Sequence, residues 1–386
     1  MFSISLSAHV PTFLIVNFIL FTISAPLRSE TEKTVNNETN ISVIYSSDFL
    51  SNRNGGKESG SAYLDFATIE LRHQIDFAKE QKLNLFVSGI YANGAEFSTT
   101  KSGDIQGASG IETGVNLKRV HEVYVQLSNK SHSMLLGLYD TNTEFDVLDS
   151  ANLFVNAAYG MGNTLGSSGT NGPSTYPFPG LSIRYQYRNE DLSFRFVITD
   201  GVPGDSQHPD ATGLNLSSSE GYLNIAELEY LSDDTKWLIG TWQYSRNTLR
   251  DDLPNTQSNT GLYLRVEHQF KELEGLTGFA RLGSGSEQLN AFSRFYSAGL
   301  VKTGLLSTRP DDAIGIAFAY AEGSSDFDLT ENMTALTNGE LNIELTYLMK
   351  VTEYLSVQPT YQWIDNPSGQ DISTAQIIGL RTILSF

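Results

Sequence analysis

Leu181–Arg188 reads LSIRYQYR, and it alternates without a break. Leu181, Ile183, Tyr185 and Tyr187 fall on one parity; Ser182, Arg184, Gln186 and Arg188 fall on the other. Successive side chains of an extended chain point to opposite faces, so this is a strand with one apolar and one polar face. The same pattern returns in Thr260–Gln269, where Leu262, Leu264 and Val266 alternate with Tyr263, Arg265, Glu267 and Gln269. It returns again at the end, with Ile378, Leu380, Thr382, Leu384 and Phe386 facing one way and Gly379 and Arg381 the other. A soluble sandwich core does not take charges on one strand face. A cylinder with lipid outside and water inside does.

Working outward, such runs number roughly sixteen, with boundaries good to a few residues. They lie near 41–48, 62–77, 82–92, 120–128, 133–139, 180–188, 192–199, 222–231, 235–245, 260–269, 276–283, 295–304, 312–320, 340–350, 354–364 and 375–386. Short turns at 78–81, 129–132, 189–191, 232–234, 270–275, 305–311 and 351–353 alternate with long polar loops at 93–119, 200–221, 246–259 and 321–339. One-sided asymmetry of this kind predicts an all-β chain: a transmembrane antiparallel β-barrel with tight periplasmic turns and long outer loops. An even strand number puts both ends on the periplasmic side. Phe386, on the lipid parity, suits an interfacial girdle.

Composition agrees. The 386 residues carry 44 acidic and 25 basic side chains, a net charge of −19, so the basic footprint of a nucleic-acid binder is missing. There is no cysteine, which excludes disulfides, thiolate metal sites and a cysteine nucleophile. Mean hydropathy is −0.21, too polar for a helical membrane bundle. The only long apolar run, 10–23, is shorter than the ~20 residues a spanning helix needs. Followed by Ser24 and Ala25, it reads as a signal peptide over 1–25, although its first residues carry no Lys or Arg. A short polar segment at 26–40 then precedes a barrel domain at 41–386.

One loop is out of proportion. From Asp140 to Pro179 there is no sustained periodicity, and unstructured loops beyond ~12–15 residues are usually functional or disordered. This one carries Phe145, Leu148, Leu153, Phe154, Val155 and Tyr159, which favour burial. The expectation is a constriction loop folded into the lumen, with a short helix near 150–156 capped by Ser150.

The segments GLYDTNTEFDVLDSANLFVNAAYGMG (Gly137–Gly162), NGPSTYPFPGLSIRYQY, TDGVPGD (Thr199–Asp205), GFARLG and RPDDAIGIAFAYA, with the GLR-to-Phe end, resemble the carbohydrate-selective porin family of the OprB type. The likeness runs in order over most of 41–386; no motif is recognised in 26–40. It implies a sixteen-stranded barrel in the outer membrane of a Gram-negative bacterium. Small sugars, glucose-like monosaccharides above all, would diffuse through it into the periplasm. The sugar preference rests on the resemblance. Strand number and infolded loop come from the pattern.

No nucleotide-binding or redox motif is present, so no cofactor is expected and flow is downhill. A sugar entering a narrow pore loses water, and guanidinium and carboxylate groups replace it by engaging vicinal hydroxyls. Binding has to stay weak so that the solute leaves. The lumen parity selects Arg72, Arg184, Arg195, Arg265, Arg281 and Arg381 as wall candidates, with Glu70, Glu122, Glu227, Glu229 and Glu267 as acidic partners. The loop adds Asp140, Glu144 and Asp146, with Phe145 or Phe154 as a sugar-stacking face. For any one of these charges the plain alternative is an ordinary solvated lumen residue. Expected surroundings are outer-membrane lipid and lipopolysaccharide, which outer acids (Asp205, Asp210, Asp251, Asp252, Asp326, Asp328) could meet through divalent cations. The chain would act as a monomer or homotrimer.

Competing readings are weaker. GMGNTLG (160–166) has Leu165 where a dinucleotide fingerprint needs glycine. Asp326–Thr330 lacks the glycine and terminal glutamate of a calcium loop. The histidines show no HExxH spacing, so no metal is expected. Glu227 and Glu229 share one face of one strand, which is poor geometry for a glycosidase pair. A general or cation-preferring porin is the main alternative. A barrel hydrolase comes after it, and no GxSxG is present to support it.

Overall fold

The computed structural model describes residues 37–78, 80–205, 208–213, 217–249, 253–326 and 339–386. The expected signal peptide and outer-loop acids Asp251, Asp252 and Asp328 lie outside them. Sixteen antiparallel strands form among the described residues. They are β1 (Asn37–Asn54), β2 (Gly60–Ala78), β3 (Gln81–Ala92), β4 (Leu117–Ser128), β5 (His132–Tyr139), β6 (Gly180–Arg188), β7 (Leu192–Asp200) and β8 (Tyr222–Leu231), followed by β9 (Thr235–Tyr244), β10 (Thr260–Gln269), β11 (Leu276–Gly285), β12 (Phe292–Thr303), β13 (Ala313–Gly323), β14 (Glu340–Lys350), β15 (Leu355–Asp365) and β16 (Ala375–Ser385). Each strand pairs with its chain neighbours, and β16 closes on β1. Closure leaves no open edge, as a hydrocarbon surround demands. Phe386 seals the seam: its N–H donates to the Val43 carbonyl and its carbonyl accepts from Val43 N–H, at 2.9 and 3.1 Å. Its ring stacks on Tyr354, centroids 5.8 Å apart.

The alternation has the expected sense. Leu262, Leu264, Ile378 and Leu380 are exposed outward, whereas Tyr263 and Arg265 are buried inward. The first strand begins at Asn37 rather than 41 and runs on to Asn54. The four added at its start, 37–40, pair with β2 but are polar on both faces, so a search for apolar alternation misses them.

Side-chain size is matched across the inner wall. Tyr263 lies opposite Gly240, and Trp242 opposite Gly261. A Cβ on Gly240 would sit 2.0 Å from Tyr263 Cζ, and one on Gly261 would sit 2.3 Å from Trp242 Cζ2. The aromatic rings need these gaps.

The long loop is folded inward as expected. Phe145, Met161 and Leu165 pack with Tyr139, Val197, Trp242 and Tyr263, while Leu148, Phe154 and Tyr159 pack with Phe279, Phe295 and Ala317. The expected helix near 150–156 is instead two single 3₁₀ turns, Ala151–Leu153 and Ala157–Tyr159. The Ser150 hydroxyl does not cap the first turn; it donates to Glu267 in the wall. Asn156 caps the second.

The 93–116 segment departs from the sequence reading of an outer polar loop. It tucks inward, with Phe97, Ala108 and Ile111 packed against Leu50, Leu64, Ile364 and Ile377. Its apolar residues are too widely spaced to register as a pattern.

Replacing Gly240 by Val should push Tyr263 off its seat and destabilise the barrel by about 1–3 kcal/mol, the usual cost of overpacking. A lower melting midpoint of the folded band in cold SDS gels would show it.

Candidate functional site

The β10–β11 register sets Arg265 directly opposite Arg281. Like charges facing one another across two strands destabilise a sheet. Asp146, from the inserted loop, lies over both. Arg265 Nε donates to Asp146 Oδ1 and its Nη2 to Oδ2 at 2.8 Å, a two-point fork. Arg281 Nη2 stands 3.5 Å from Oδ1. Gly162 N–H donates to Oδ2 at 2.8 Å. None of the three charged side chains keeps exposed surface. Asp146 reaches this position with φ +62°, a left-handed conformation that Asp tolerates better than most residues. The guanidiniums lie over the Tyr263 and Phe295 rings, 4.9 and 5.4 Å from the centroids.

Further acids extend the stitching. Glu227 accepts from Asp146 N–H and Tyr263 OH, both at 2.8 Å, and pairs with Arg195 at 2.5 Å. Arg195 reaches Glu229 at 2.8 Å with its other arm. Glu144 pairs with Arg184 at 2.7 Å and accepts from Tyr139 OH at 2.6 Å. Glu267 receives Ser150 N–H at 2.7 Å. Glu344 receives Val155 and Asn156 N–H at 2.8 and 2.9 Å. The loop root is held by Asp140, whose N–H donates to Glu122 at 3.0 Å and whose carboxylate takes Tyr176 N–H at 2.9 Å.

The 93–116 insert joins this network. Arg381 forks onto Asp48 at 2.7 Å in both contacts, and Ser109 Oγ donates to Asp48 at 2.6 Å. The two inserts then bond each other: Gly110 N–H to Val155 O at 2.9 Å, and Ala157 N–H to Gly107 O at 2.8 Å.

The candidates therefore divide. Arg265, Arg281, Asp146 and Glu227 are brought together and wholly buried, fastening the loop to the wall. Phe145 and Phe154 are buried as well, so the packing that holds the loop inward removes both as stacking faces. Glu144 and Glu229 keep 28% and 15% of their side chains accessible. Arg72 stands apart, exposed on β2 over the Phe86 ring at 5.3 Å, and it makes no ion pair among the described residues. Glu70 lies two residues before it on the same parity, 3.5 Å from Ser42 Oγ. Phe86 stacks on Tyr124, ring centroids 4.8 Å apart.

Several partners escaped the sequence reading: Asp48, Tyr139, Tyr263, Glu340 and Glu344. Parity could have found Asp48, which sits opposite Arg381 in the β1–β16 register. Of the outer acids, Asp205 pairs with His208 at 2.9 Å and Asp210 accepts from Lys118 N–H at 2.8 Å.

Asp146→Ala would leave two buried guanidiniums without their carboxylate, and breaking a buried pair this way costs about 3–5 kcal/mol. The expected result is a protease-sensitive 140–179 segment and a larger single-channel conductance in planar bilayers.

Porin B of Pseudomonas aeruginosa is 28% identical over 132 residues, which cover 30% of this chain and 29% of that protein's length. The high-pH structure of OprB from Pseudomonas putida superposes with a TM-score of 0.74 at 18% identity, covering 90% of this chain and 94% of that one. An anion-selective porin from Comamonas acidovorans superposes at 0.60 with 12% identity over 91% of this chain and all of its own. Both structures show the same fold, an outer-membrane β-barrel. Residues 77–386 match the family described as carbohydrate-selective porin, OprB family. With a match of that extent on a closed sixteen-stranded barrel, the chain belongs to the carbohydrate-selective porin family of Gram-negative outer membranes.

Proposed function

We propose that the barrel is a passive channel through which small, glucose-like sugars diffuse into the periplasm. Family and fold point to a channel rather than a catalyst. The observation that carries the sugar reading is the division of the lumen charges. The inserted loop packs across β7–β15, where Asp146 neutralises Arg265 and Arg281 and its backbone satisfies Glu227, Glu267 and Glu344. Arg72 on β2, which makes no ion pair among the described residues, keeps its guanidinium braced on an aromatic ring. An accessible planar fork of donors suits vicinal hydroxyls, and Glu70, Glu144 and Glu229 supply acceptors on the same lumen. Arg184 and Arg195 orient Glu144 and Glu229. Such contacts are few and water-exposed, so binding stays weak enough for release.

In this reading the barrel sits in outer-membrane lipid beneath lipopolysaccharide and needs no cofactor or metal. The net charge of −19 favours a second reading, a cation-preferring general porin. Sugar titration of single-channel current separates the two: concentration-dependent block supports the sugar channel, and current indifferent to sugar overturns it. Arg72→Ala should raise the half-blocking sugar concentration roughly tenfold, since a hydrogen bond to a charged group contributes about 1.5–3 kcal/mol. The barrel's melting midpoint should hardly move.

A further inference from the structure

The two inserts place their own acids differently. Asp146 and Glu144 of the long insert meet guanidiniums. The 93–116 insert brings two acids, Asp104 and Glu112, and docks on a third, Glu340 at the outer end of β14. Glu340 accepts Gln106 N–H at 3.1 Å, Ile105 N–H at 3.0 Å and Ser368 N–H at 2.7 Å. Glu112 accepts Phe97 N–H at 2.8 Å, Ser98 N–H at 2.9 Å and Ser98 Oγ at 2.9 Å. Asp104 takes the Ser102 hydroxyl on Oδ1. Its Oδ2 and Gln106 Oε1 are buried with no hydrogen-bond partner among the described residues.

No basic side chain pairs with these three acids among the described residues. The charged and titratable groups nearby are otherwise engaged. Lys101 bridges to Glu58 at 3.1 Å, and Lys57 Nζ donates to Thr99 O at 3.1 Å. Glu96 takes the Thr99 hydroxyl at 3.0 Å, and Asp365 the Thr374 hydroxyl at 2.7 Å. Tyr320 packs over Gly339. A buried carboxylate without a counter-charge is costly, and taking up a proton relieves it. Burial accordingly pushes the Asp104 carboxyl up. It lifts Glu112 to about 7, with the Asp104 charge adding to the rise.

We propose that the 93–116 insert is a proton-dependent latch, docked on Glu340 while its own Asp104 and Glu112 hold their protons and released as they leave. The direction follows from linkage. An acid whose docked pKa is raised takes up a proton on docking, so docking is strongest below the free-carboxyl range, about pH 4. For Glu112 it weakens from there up to about pH 7 and is level above that. Because Gly110 and Gly107 of this insert bond Val155 and Ala157 of the long insert, release also frees one flank of the constriction.

The test uses the full barrel in planar bilayers and in micelles, at pH 5 and pH 8. Hydrogen exchange over 97–112, corrected for intrinsic rate, should show an opening constant roughly a hundredfold larger at pH 8. Current fluctuations should grow in parallel. Glu112→Gln, which keeps an acceptor for the two N–H groups, should flatten both profiles. Equal protection at the two pH values overturns the latch, and so does a folded Glu112→Gln barrel that keeps the full pH dependence. If that variant does not fold, Asp104→Asn carries the same comparison.

Discussion

Arg265 and Arg281 are held opposite one another by the β10–β11 register, on the water-facing parity of neighbouring strands. Hydrogen-bonded strands cannot slide apart to relieve their repulsion without moving every side chain to the wrong face. The wall therefore carries a doubled positive charge that only an inserted carboxylate can settle, and Asp146 does so at the cost of a left-handed backbone. Its position dictates where the chain on either side must run. Phe145 drops into the pocket of Tyr139, Val197 and Trp242, and Gly162 returns to cap the same carboxylate. Gly162 is required there: a Cβ would lie 2.6 Å from Arg265 Nη2.

Burying three charges is expensive in desolvation, and apolar residues of like volume would often serve stability as well. What ion pairs add is direction. A loop of some forty residues could collapse onto the wall in many registers if greasy contacts alone held it. Forked guanidinium bonds, together with the Glu267 and Glu344 carboxylates that collect backbone N–H groups, admit one. The result is an asymmetric lumen. The strands under the loop are filled and electrically settled; Arg72 on β2, with parts of Glu144 on the loop and Glu229 on β8, keeps access to water. The second insert then braces the first through the Gly107–Ala157 and Gly110–Val155 bonds.

Alternation made the barrel legible, because a membrane wall repeats a two-residue code that water and lipid enforce at every strand. The same parity picked out Arg184, Arg195, Arg265, Arg281 and Arg381 as inward residues, and the apolar content of 140–179 showed that this loop could not stay outside. It did not reveal which inward charges would be covered. Phe145 looked like a stacking surface and is instead an anchor, since a ring that pulls the loop inward is spent in doing so. The 93–116 insert was missed because Phe97, Ala108 and Ile111 are separated by polar residues such as Gln106 and Ser109, whose partners lie on β14 and β1.

Parity and loop length, both local properties of the chain, by themselves determined the strand number, the lipid and water faces and the presence of a plug. Which acid meets which arginine was decided only in three dimensions. Asp146 and Arg281 are 135 residues apart, and Asp48 and Arg381 are 333 apart. Contacts at such separations follow from barrel closure and from the path of the inserts, and no periodicity records either.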